Sequence, residues 1–372
     1  MYLVTEIILF SPVIIYACIR LRGFIPNRSA KNVFALLCVL LFLGYPLAEF
    51  LSHMETARWV RYPLFALYCC LPCLLYITMC VVAIDLAVAL GRVTKFLRRE
   101  TLSSQGFKSA RLGCCLVVPA LIVAAGALNN NRLRVNEISI ELPRKGSTLE
   151  RLNIVYASDF HLSAITSDHL IERFVAKVNA LKPDIVLIGG DVLEGHGIEN
   201  LGPIETQFRG IRAKYGVYAA PGNHERYRGG TDDFFIHSGM KYLKDGVAKI
   251  DDAFYVIGRK ETRSSLRKPV AELLKAAPEN LPIILLDHRP VDLDKVSDSR
   301  VNLQFSGHTH NGQLFPVNLL VMPFQYELAW GTMKKRNTIF IVSSGVQAWG
   351  PPVKTAGDSE ILWVKVTFRS AP

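Results

Sequence analysis

The chain has 372 residues, half of them hydrophobic, and a formal net charge of +11. Residues 1–130 carry 12 Lys and Arg against 5 Asp and Glu, so most of the positive excess lies in the most apolar part of the chain. Basic residues in that setting indicate membrane topology rather than nucleic-acid binding, and no nucleic-acid partner is expected.

Four apolar segments lie in this first part, at about residues 2–19, 33–52, 63–90 and 112–128. A helix of about 20 residues crosses a hydrocarbon core of about 30 Å. The segments lack the polar face of a soluble amphipathic helix, which argues against a bundle of buried soluble helices. We therefore predict a membrane domain of four transmembrane helices over residues 1–130 and a second domain over residues 131–372.

Basic residues are concentrated in the loops after the first and third segments, at Arg20, Arg22, Arg28 and Lys31, and at Arg92, Lys95, Arg98, Arg99, Lys108 and Arg111. By the positive-inside rule these two loops are cytoplasmic. A multi-pass protein of the cell membrane is expected, with its amino terminus and its second domain outside the cytoplasm. The first segment has no basic region before it, which predicts an uncleaved anchor.

The membrane part contains all eight cysteines, at Cys18, Cys38, Cys69, Cys70, Cys73, Cys80, Cys114 and Cys115. The cluster Cys69 to Cys73 is compatible with metal or redox chemistry, but its apolar setting favours buried structural thiols. The acids Glu6, Glu49 and Asp85 lie near segment ends, which favours an interfacial position over an ion path.

The second part alternates strands and helices. Val135 to Leu142 has the pattern of an antiparallel edge strand. Further strands are expected at 152–158, 185–189, 215–220, 254–257, 282–287, 301–306, 338–343 and 360–368. Helices are expected from about Ser167, as N-cap, to Leu181 and near 268–277. About 220 residues suffice for one two-sheet core covered by helices.

Five short blocks follow apolar, β-branched runs: Asp159-Phe160-His161, Gly190-Asp191, Gly222-Asn223-His224-Glu225, His288 and Gly307-His308-Thr309-His310. Five of the nine histidines fall in these blocks. Loops at the carboxyl ends of strands gather the chemistry of α/β proteins. Carboxylates and neutral imidazoles suit divalent ions, and residues 116–372 contain no Cys to supply a thiolate. A single Asp-x-His is more often an ordinary loop, but the five blocks together predict a dinuclear metal site.

In this order the blocks resemble the signature of the calcineurin-like metallophosphoesterase superfamily, and the flanking runs 307–313 and 343–352 are similar to its YkuE/YaeI-like branch. The resemblance covers about residues 150–368. It implies an α/β fold, an αββα sandwich, for the domain 131–372. It also implies that Asp191 bridges two ions, with Asp159, His161 and His310 completing one site and Asn223, His288 and His308 the other.

The resemblance further implies two divalent ions, such as Mn²⁺, Fe²⁺/Fe³⁺ or Zn²⁺, whose bridging hydroxide attacks the phosphorus of a phosphoester. His224 is then the catalytic residue that stabilises the transition state or protonates the leaving oxygen. Glu225 is expected to orient His224 or a ligand. Gly190, Gly222 and Gly307 are expected to act as backbone hinges, and His308 and His310 to lie on an extended loop.

The expected function is thus a membrane-anchored, metal-dependent phosphoesterase. The apolar run Leu319 to Phe324, with Trp330 and Trp349, is compatible with binding of an acyl chain or a lipid surface. This makes a lipid-linked phosphoester a candidate substrate. The favoured alternative is that these apolar residues pack under the sheet. The alternatives are a pyrophosphatase for a nucleotide-linked lipid of the UDP-diacylglucosamine type, and an inactive membrane sensor or scaffold.

The other four histidines, His53, His169, His196 and His237, are expected to be solvated or locally bonded. His196 follows Asp191 in the same loop, so the alternative for this residue is a position over the metal site.

Overall fold

The computed structural model describes residues 2–54, 58–194, 198, 200–278 and 280–369. The chain divides into two compact units. The helical unit comprises Met1–Met54, Val60–Leu128 and Gly350–Thr355. The sheet unit comprises Glu55–Trp59, Asn129–Trp349 and Ala356–Pro372.

The described residues of the first part form the α-helices α1 Tyr2–Arg22, α2 Arg28–Met54, α3 Arg61–Tyr68, α4 Cys70–Val93, α5 Arg99–Ser103 and α6 Gln105–Asn130. Within the residues that the structure describes, three stretches are long and apolar enough to cross a membrane: Arg28–Ser52, Arg61–Val93 and Gln105–Asn130. Large apolar side chains such as Leu36, Leu86 and Leu121 point outward from these stretches, as lipid-facing residues do. Three of the four predicted spans are therefore confirmed as apolar helices. The first coincides with α1, but about half of it falls on side chains outside the described residues, so that span stays a prediction.

The cysteines of the helical unit are all free thiols. Among the described residues, none of them belongs to a group of three side chains that could hold a metal ion. Structural thiols remain the better interpretation of the cluster Cys69 to Cys73.

The sheet unit contains twelve described strands: β1 Arg134–Pro143, β2 Arg151–Ala157, β3 Ile185–Ile188, β4 Val217–Ala219, β5 Met240–Tyr242, β6 Gly246–Ile250, β7 Phe254–Gly258, β8 Ile283–Leu286, β9 Leu303–Ser306, β10 Gly331–Lys335, β11 Thr338–Val342 and β12 Glu360–Arg369. They form two six-stranded sheets with the orders β1-β12-β2-β3-β4-β5 and β10-β11-β9-β8-β7-β6. Its described helices are α7 Leu170–Ala180, α8 Gly202–Phe208, α9 Asn223–Arg228, α10 Asp232–His237, α11 Val270–Leu273, α12 Leu293–Ser297 and α13 Asn318–Phe324.

The two sheets pack face to face around one apolar layer. Ile154 and Tyr156 of β2 share this layer with Phe305 of β9, and the rings of Tyr156 and Phe305 stack with centroids 4.6 Å apart. Val155, the alternate residue of β2, points to the other face, where α7 and α8 cover the first sheet. Helices α11 and α12 cover the second sheet in the same way. The predicted αββα arrangement of layers is confirmed.

Some local predictions were wrong. The strand β1 does lie at a sheet edge, but it pairs in parallel with β12, whose sequence lies more than 200 residues away. Helix α7 begins at Leu170 with His169 as its N-cap, so Ser167 does not cap it. The short strands β5, β6 and β10 were not predicted, because most of their residues are half-buried or exposed and form no apolar run.

Candidate metal centre

The predicted ligands leave neighbouring strands at one edge of the sandwich. Asp159 and His161 follow β2, Asp191 follows β3, and Asn223 follows β4, three adjacent parallel strands of the first sheet. His288 follows β8, and His308 and His310 follow β9, two adjacent parallel strands of the second sheet. Carboxyl ends of parallel strands meet at one edge, so the topology itself brings these loops together.

Asp159, His161 and His310 form one buried group whose donor atoms lie within 4.8 Å of one another. The Nε2 atoms of His161 and His310 are 3.0 Å apart, and Asp159 Oδ1 lies 3.5 Å from His310 Nε2. The Nδ1 of His161 bonds to Glu194 Oε2 at 2.8 Å, which directs Nε2 toward the group. This is the tautomer that a metal-binding imidazole needs.

Asp191, His288 and His308 form a second group within the same 4.8 Å limit. Asp191 Oδ2 lies 2.9 Å from His288 Nε2 and 4.0 Å from His161 Nε2. The Nδ1 of His288 donates to the backbone oxygen of Gly189 at 2.8 Å, which again leaves Nε2 to face inward. Asp191 thus stands between the two groups, the position that a bridging carboxylate requires.

Asn223 is buried, and its side-chain oxygen has no hydrogen-bond partner among the described residues. Its two neighbours in sequence both approach Asp191: a Cβ on Gly222 would lie 2.1 Å from Asp191 Oδ1, and the backbone N–H of His224 donates to that oxygen at 2.8 Å. A buried amide oxygen without a partner is costly unless a cation satisfies it. The donor set of carboxylate, amide and imidazole therefore fits two divalent ions.

The backbone of the ligand loops is strained. Asp159, His161, Asp191, His308 and His310 all have left-handed φ angles, between 43° and 72°. Non-glycine residues rarely adopt this region, and such strain clusters at functional sites. The extended loop predicted for His308 and His310 was wrong, because both residues turn sharply.

The three glycines of the blocks have two different roles. Gly190 has φ +91° and is a turn residue, as predicted. Gly222 has φ −99°, and Gly307 is not among the glycines with positive φ. A Cβ on Gly307 would lie 2.2 Å from Asp159 Oδ2, and one on Gly222 would meet Asp191. The hinge role predicted for these two was wrong: they are glycines because the carboxylate ligands pack directly on their backbone.

Glu194 is a site residue that the sequence did not reveal. Its carboxylate bonds to His161 through one oxygen and lies 2.5 Å from His224 Nδ1 through the other. Burial works against ionisation of Glu194, but the two histidines outweigh it and lower its pKa. An acid three residues after Asp191 carries no motif signal, so only the fold shows that it faces the site.

His224 lies beside the first group, with its ring 4.7 Å from that of His161. Burial opposes its protonation, but the bond to Glu194 and the charge of Asp191 raise the pKa of His224 to about 9. With Nδ1 committed to Glu194, the Nε2 atom is the one left for a substrate.

Glu225 holds the loop of Asp191 rather than the ring of His224. Its carboxylate accepts four backbone N–H groups, those of Asp191 (2.8 Å), Val192 (2.6 Å), Leu193 (3.1 Å) and Gly222 (2.8 Å). Of the two roles predicted for Glu225, the orientation of a ligand is the one its contacts support.

The electrostatic field acts in opposite directions on the two histidines of the second group. Burial opposes protonation of His288, but Asp191 overcomes it and raises the pKa of His288 to about 10. Burial and the charges of His288 and Arg289 lower the pKa of His308 to about 2.

Arg289 supplies a cation beside the second group. Its Nε lies 3.0 Å from Glu261 Oε1, and its side chain is 12% exposed. Burial raises the pKa of Tyr326, and the charges of Arg289 and Arg263 act against that rise. The ring of Tyr326 lies 6.1 Å from that of His308.

Two of the other histidines are locally bonded, as predicted. His169 lies 3.1 Å from Glu172, and His237 lies 3.7 Å from Glu205. His196 and the side chain of His53 lie outside the described residues.

An exposed apolar surface follows the last ligands. We define the α13 patch as Phe315, Leu319, Leu320 and Phe324; the side chains of the last three are 58%, 55% and 78% exposed. The favoured prediction, packing under the sheet, was wrong for these residues. Trp349 is 47% exposed and its ring lies 6.1 Å from that of His224.

Comparison with known families agrees with this geometry. The calcineurin-like phosphoesterase family model matches residues 152–312, the stretch that carries every candidate ligand. Residues 152–312 form a calcineurin-like phosphoesterase domain. A metallophosphoesterase of Helicobacter pylori is 30% identical to the chain over 225 residues, which is 58% of this chain and 60% of that protein. A Danio rerio transmembrane protein with metallophosphoesterase domain is 28% identical over 295 residues, 73% of this chain and 67% of that protein.

A more distant relative of the phosphoesterase domain is a UDP-2,3-diacylglucosamine pyrophosphatase of Chlamydia trachomatis. It is 24% identical over 256 residues, 55% of this chain and 78% of that protein. The chain matches 60% of the length of the Helicobacter pylori protein and 67% of the length of the Danio rerio protein.

Proposed function

We propose that this protein is a membrane-anchored phosphoesterase that holds two divalent ions through Asp159, His161, Asp191, Asn223, His288, His308 and His310. The observation that carries the proposal is the position of Asp191, whose Oδ2 lies between the inward-facing Nε2 atoms of His161 and His288. When bound, the ions supply a nucleophile from water and screen the charge of the phosphoryl oxygens.

His224 is proposed as the catalytic acid. Glu194 fixes its ring through Nδ1, and Nε2 is then placed to give a proton to the leaving oxygen. Because Glu194 also holds His161, one carboxylate positions both a metal ligand and the acid.

A lipid-linked phosphoester is the proposed substrate class. The α13 patch exposes three large apolar side chains in a helix that begins eight residues after His310. Helix α13 also contacts the turn His310–Gly312, which carries a proposed ligand. An apolar surface next to a ligand loop, in a chain with apolar helices of membrane length, fits an acyl chain or a lipid surface.

The alternative substrate is a nucleotide-linked lipid cleaved at its diphosphate. The relative from Chlamydia trachomatis supports this alternative. The predicted topology argues against it, because such a substrate is cytoplasmic and the domain is predicted outside.

The test is hydrolysis by the full-length protein in detergent, after metal loading. Three substrates are compared: a phospholipid, a nucleotide-sugar-lipid and a water-soluble phosphomonoester. The proposal predicts turnover of a lipid substrate with a kcat/KM at least about tenfold above that of the soluble ester. A protein that binds two ions but hydrolyses none of the three would instead be the inactive sensor or scaffold.

A further inference from the structure

Three helices of the helical unit meet at one carboxylate, Asp85 of α4. Arg20 of α1 donates from Nε at 2.6 Å and from Nη2 at 2.7 Å, and the hydroxyl of Tyr16 donates at 2.6 Å. Arg111 of α6 donates through Nη2 to Oδ1, the oxygen that also accepts from Nη2 of Arg20. The side chain of Asp85 is only 14% exposed. Asp85 was expected to be a single acid at the membrane interface. In the structure it lies at the centre of a charged cluster that joins α1, α4 and α6.

This cluster has one more positive than negative charge. Two guanidinium groups face one carboxylate, and Tyr16 is neutral. Over the described part of the chain, no other acidic side chain forms an ion pair with Arg20 or Arg111. An uncompensated cation among apolar helices is costly, so an anion from outside the protein would stabilise it.

The cluster also borders a groove of about 340 Å³. Arg111 lines this groove, together with apolar residues that include Ile84 and Val88 of α4, Leu97, and Phe107 of α6. The guanidinium of Arg111 packs over the ring of Phe24 at 4.4 Å, and its buried Nε has no hydrogen-bond partner among the described side chains and backbone. The side chain of Arg20 is 41% exposed, so it is open to an incoming group.

We infer that Arg20 and Arg111 bind the phosphate of an anionic phospholipid whose acyl chain lies in the groove beside Ile84, Val88 and Phe107. The charge excess accounts for the anionic headgroup, and the apolar lining accounts for the chain. Free inorganic phosphate satisfies only the first of these features. This site lies wholly within the helical unit and does not depend on the proposed phosphoesterase activity.

The test uses the full-length protein in nanodiscs, with lipid exchange followed by native mass spectrometry. Phosphatidylglycerol is compared with phosphatidylcholine of the same acyl chains, and inorganic phosphate is a separate arm. The wild type is expected to retain phosphatidylglycerol several-fold more than phosphatidylcholine. Arg20→Gln and Arg111→Gln should each remove that preference, whereas Arg92→Gln, a basic residue at the end of α4, should keep it.

Asp85→Asn separates binding from a merely structural role. It weakens the links between the helices but raises the net charge, so the preference for phosphatidylglycerol should be kept or increased. If the two Gln variants fail to fold, Arg20→Lys keeps the charge and should retain binding. Equal retention of the two lipids by the wild type, loss of the preference in Asp85→Asn, or displacement of the lipid by millimolar inorganic phosphate would each overturn the inference.

Discussion

The carboxylate of Glu194 lies 2.5 Å from Nδ1 of His224, while its other oxygen bonds to His161 at 2.8 Å. One acid therefore sets the ring orientation of both a proposed ligand and the proposed catalytic acid. A change at Glu194 should therefore affect both metal binding by His161 and acid catalysis by His224.

Glu194→Gln is expected to lower turnover by about 10- to 100-fold and to weaken binding of the ion at His161, because an amide holds two imidazoles less well than a carboxylate. Metal titration and kcat measured on the same preparation check both effects. Glu172→Gln is the matched control, since Glu172 also pairs with a histidine, His169 at 3.1 Å, but on the surface. If Glu194→Gln and Glu172→Gln had the same kcat and the same metal affinity, Glu194 would have no role in catalysis or metal binding.

His224→Asn is expected to retain both ions and to lose about 10² to 10⁴ in turnover, the usual worth of a positioned acid. The loss should shrink for a p-nitrophenyl leaving group, which needs less protonation than an alkyl one. The turnover of the wild type and of His224→Asn, measured with a p-nitrophenyl and an alkyl substrate, tests this difference. The same loss for both leaving groups would assign His224 to charge stabilisation instead.

Glu225→Gln is expected to lower the free energy of unfolding by about 1–3 kcal/mol, because an amide cannot accept all four backbone N–H groups that the carboxylate holds. Denaturant unfolding of the detergent-solubilised protein measures this change. Glu137→Gln breaks only an exposed pair with Lys365 and should change stability little. A loss no larger than that of the control would show that the Asp191 loop does not need Glu225.

The sequence predicted the strand ends and the candidate ligands because each block follows a short, mostly apolar run that is buried in the structure. Ile185 to Ile188 before Asp191 is an example, and all four residues are buried. Other features depend on residues that are far apart in the sequence, and these features could not be predicted. The parallel pairing of β1 requires β12, and the role of Glu194 requires the loop of His161 to fold beside it.

The exposure of the α13 patch also could not be predicted from the sequence. An apolar run such as Leu319 to Phe324 has the same hydrophobic pattern in the sequence whether its side chains are buried or exposed. Only the packing of the sheet unit shows that Leu319, Leu320 and Phe324 point outward.

The sidedness of the phosphoesterase domain is a separate prediction from the basic loops. A reporter active only after export should work when fused after Pro372, and a cytoplasmic reporter should work within residues 92–111. Protease added to intact spheroplasts should release the domain. Protection of the domain together with exposure of the 92–111 loop would place the site in the cytoplasm and make a nucleotide-linked lipid the leading substrate.

The position of Asp191 between two groups of ligands is the central claim, and the metal content of Asp191→Asn tests it most directly. Wild type should bind two ions per chain, and Asp191→Asn should lose more than one of them together with all hydrolysis, because a bridging carboxylate serves both ions. His161→Ala and His288→Ala should each lose no more than one ion. An Asp191→Asn protein that keeps two ions and wild-type turnover would contradict the dinuclear centre.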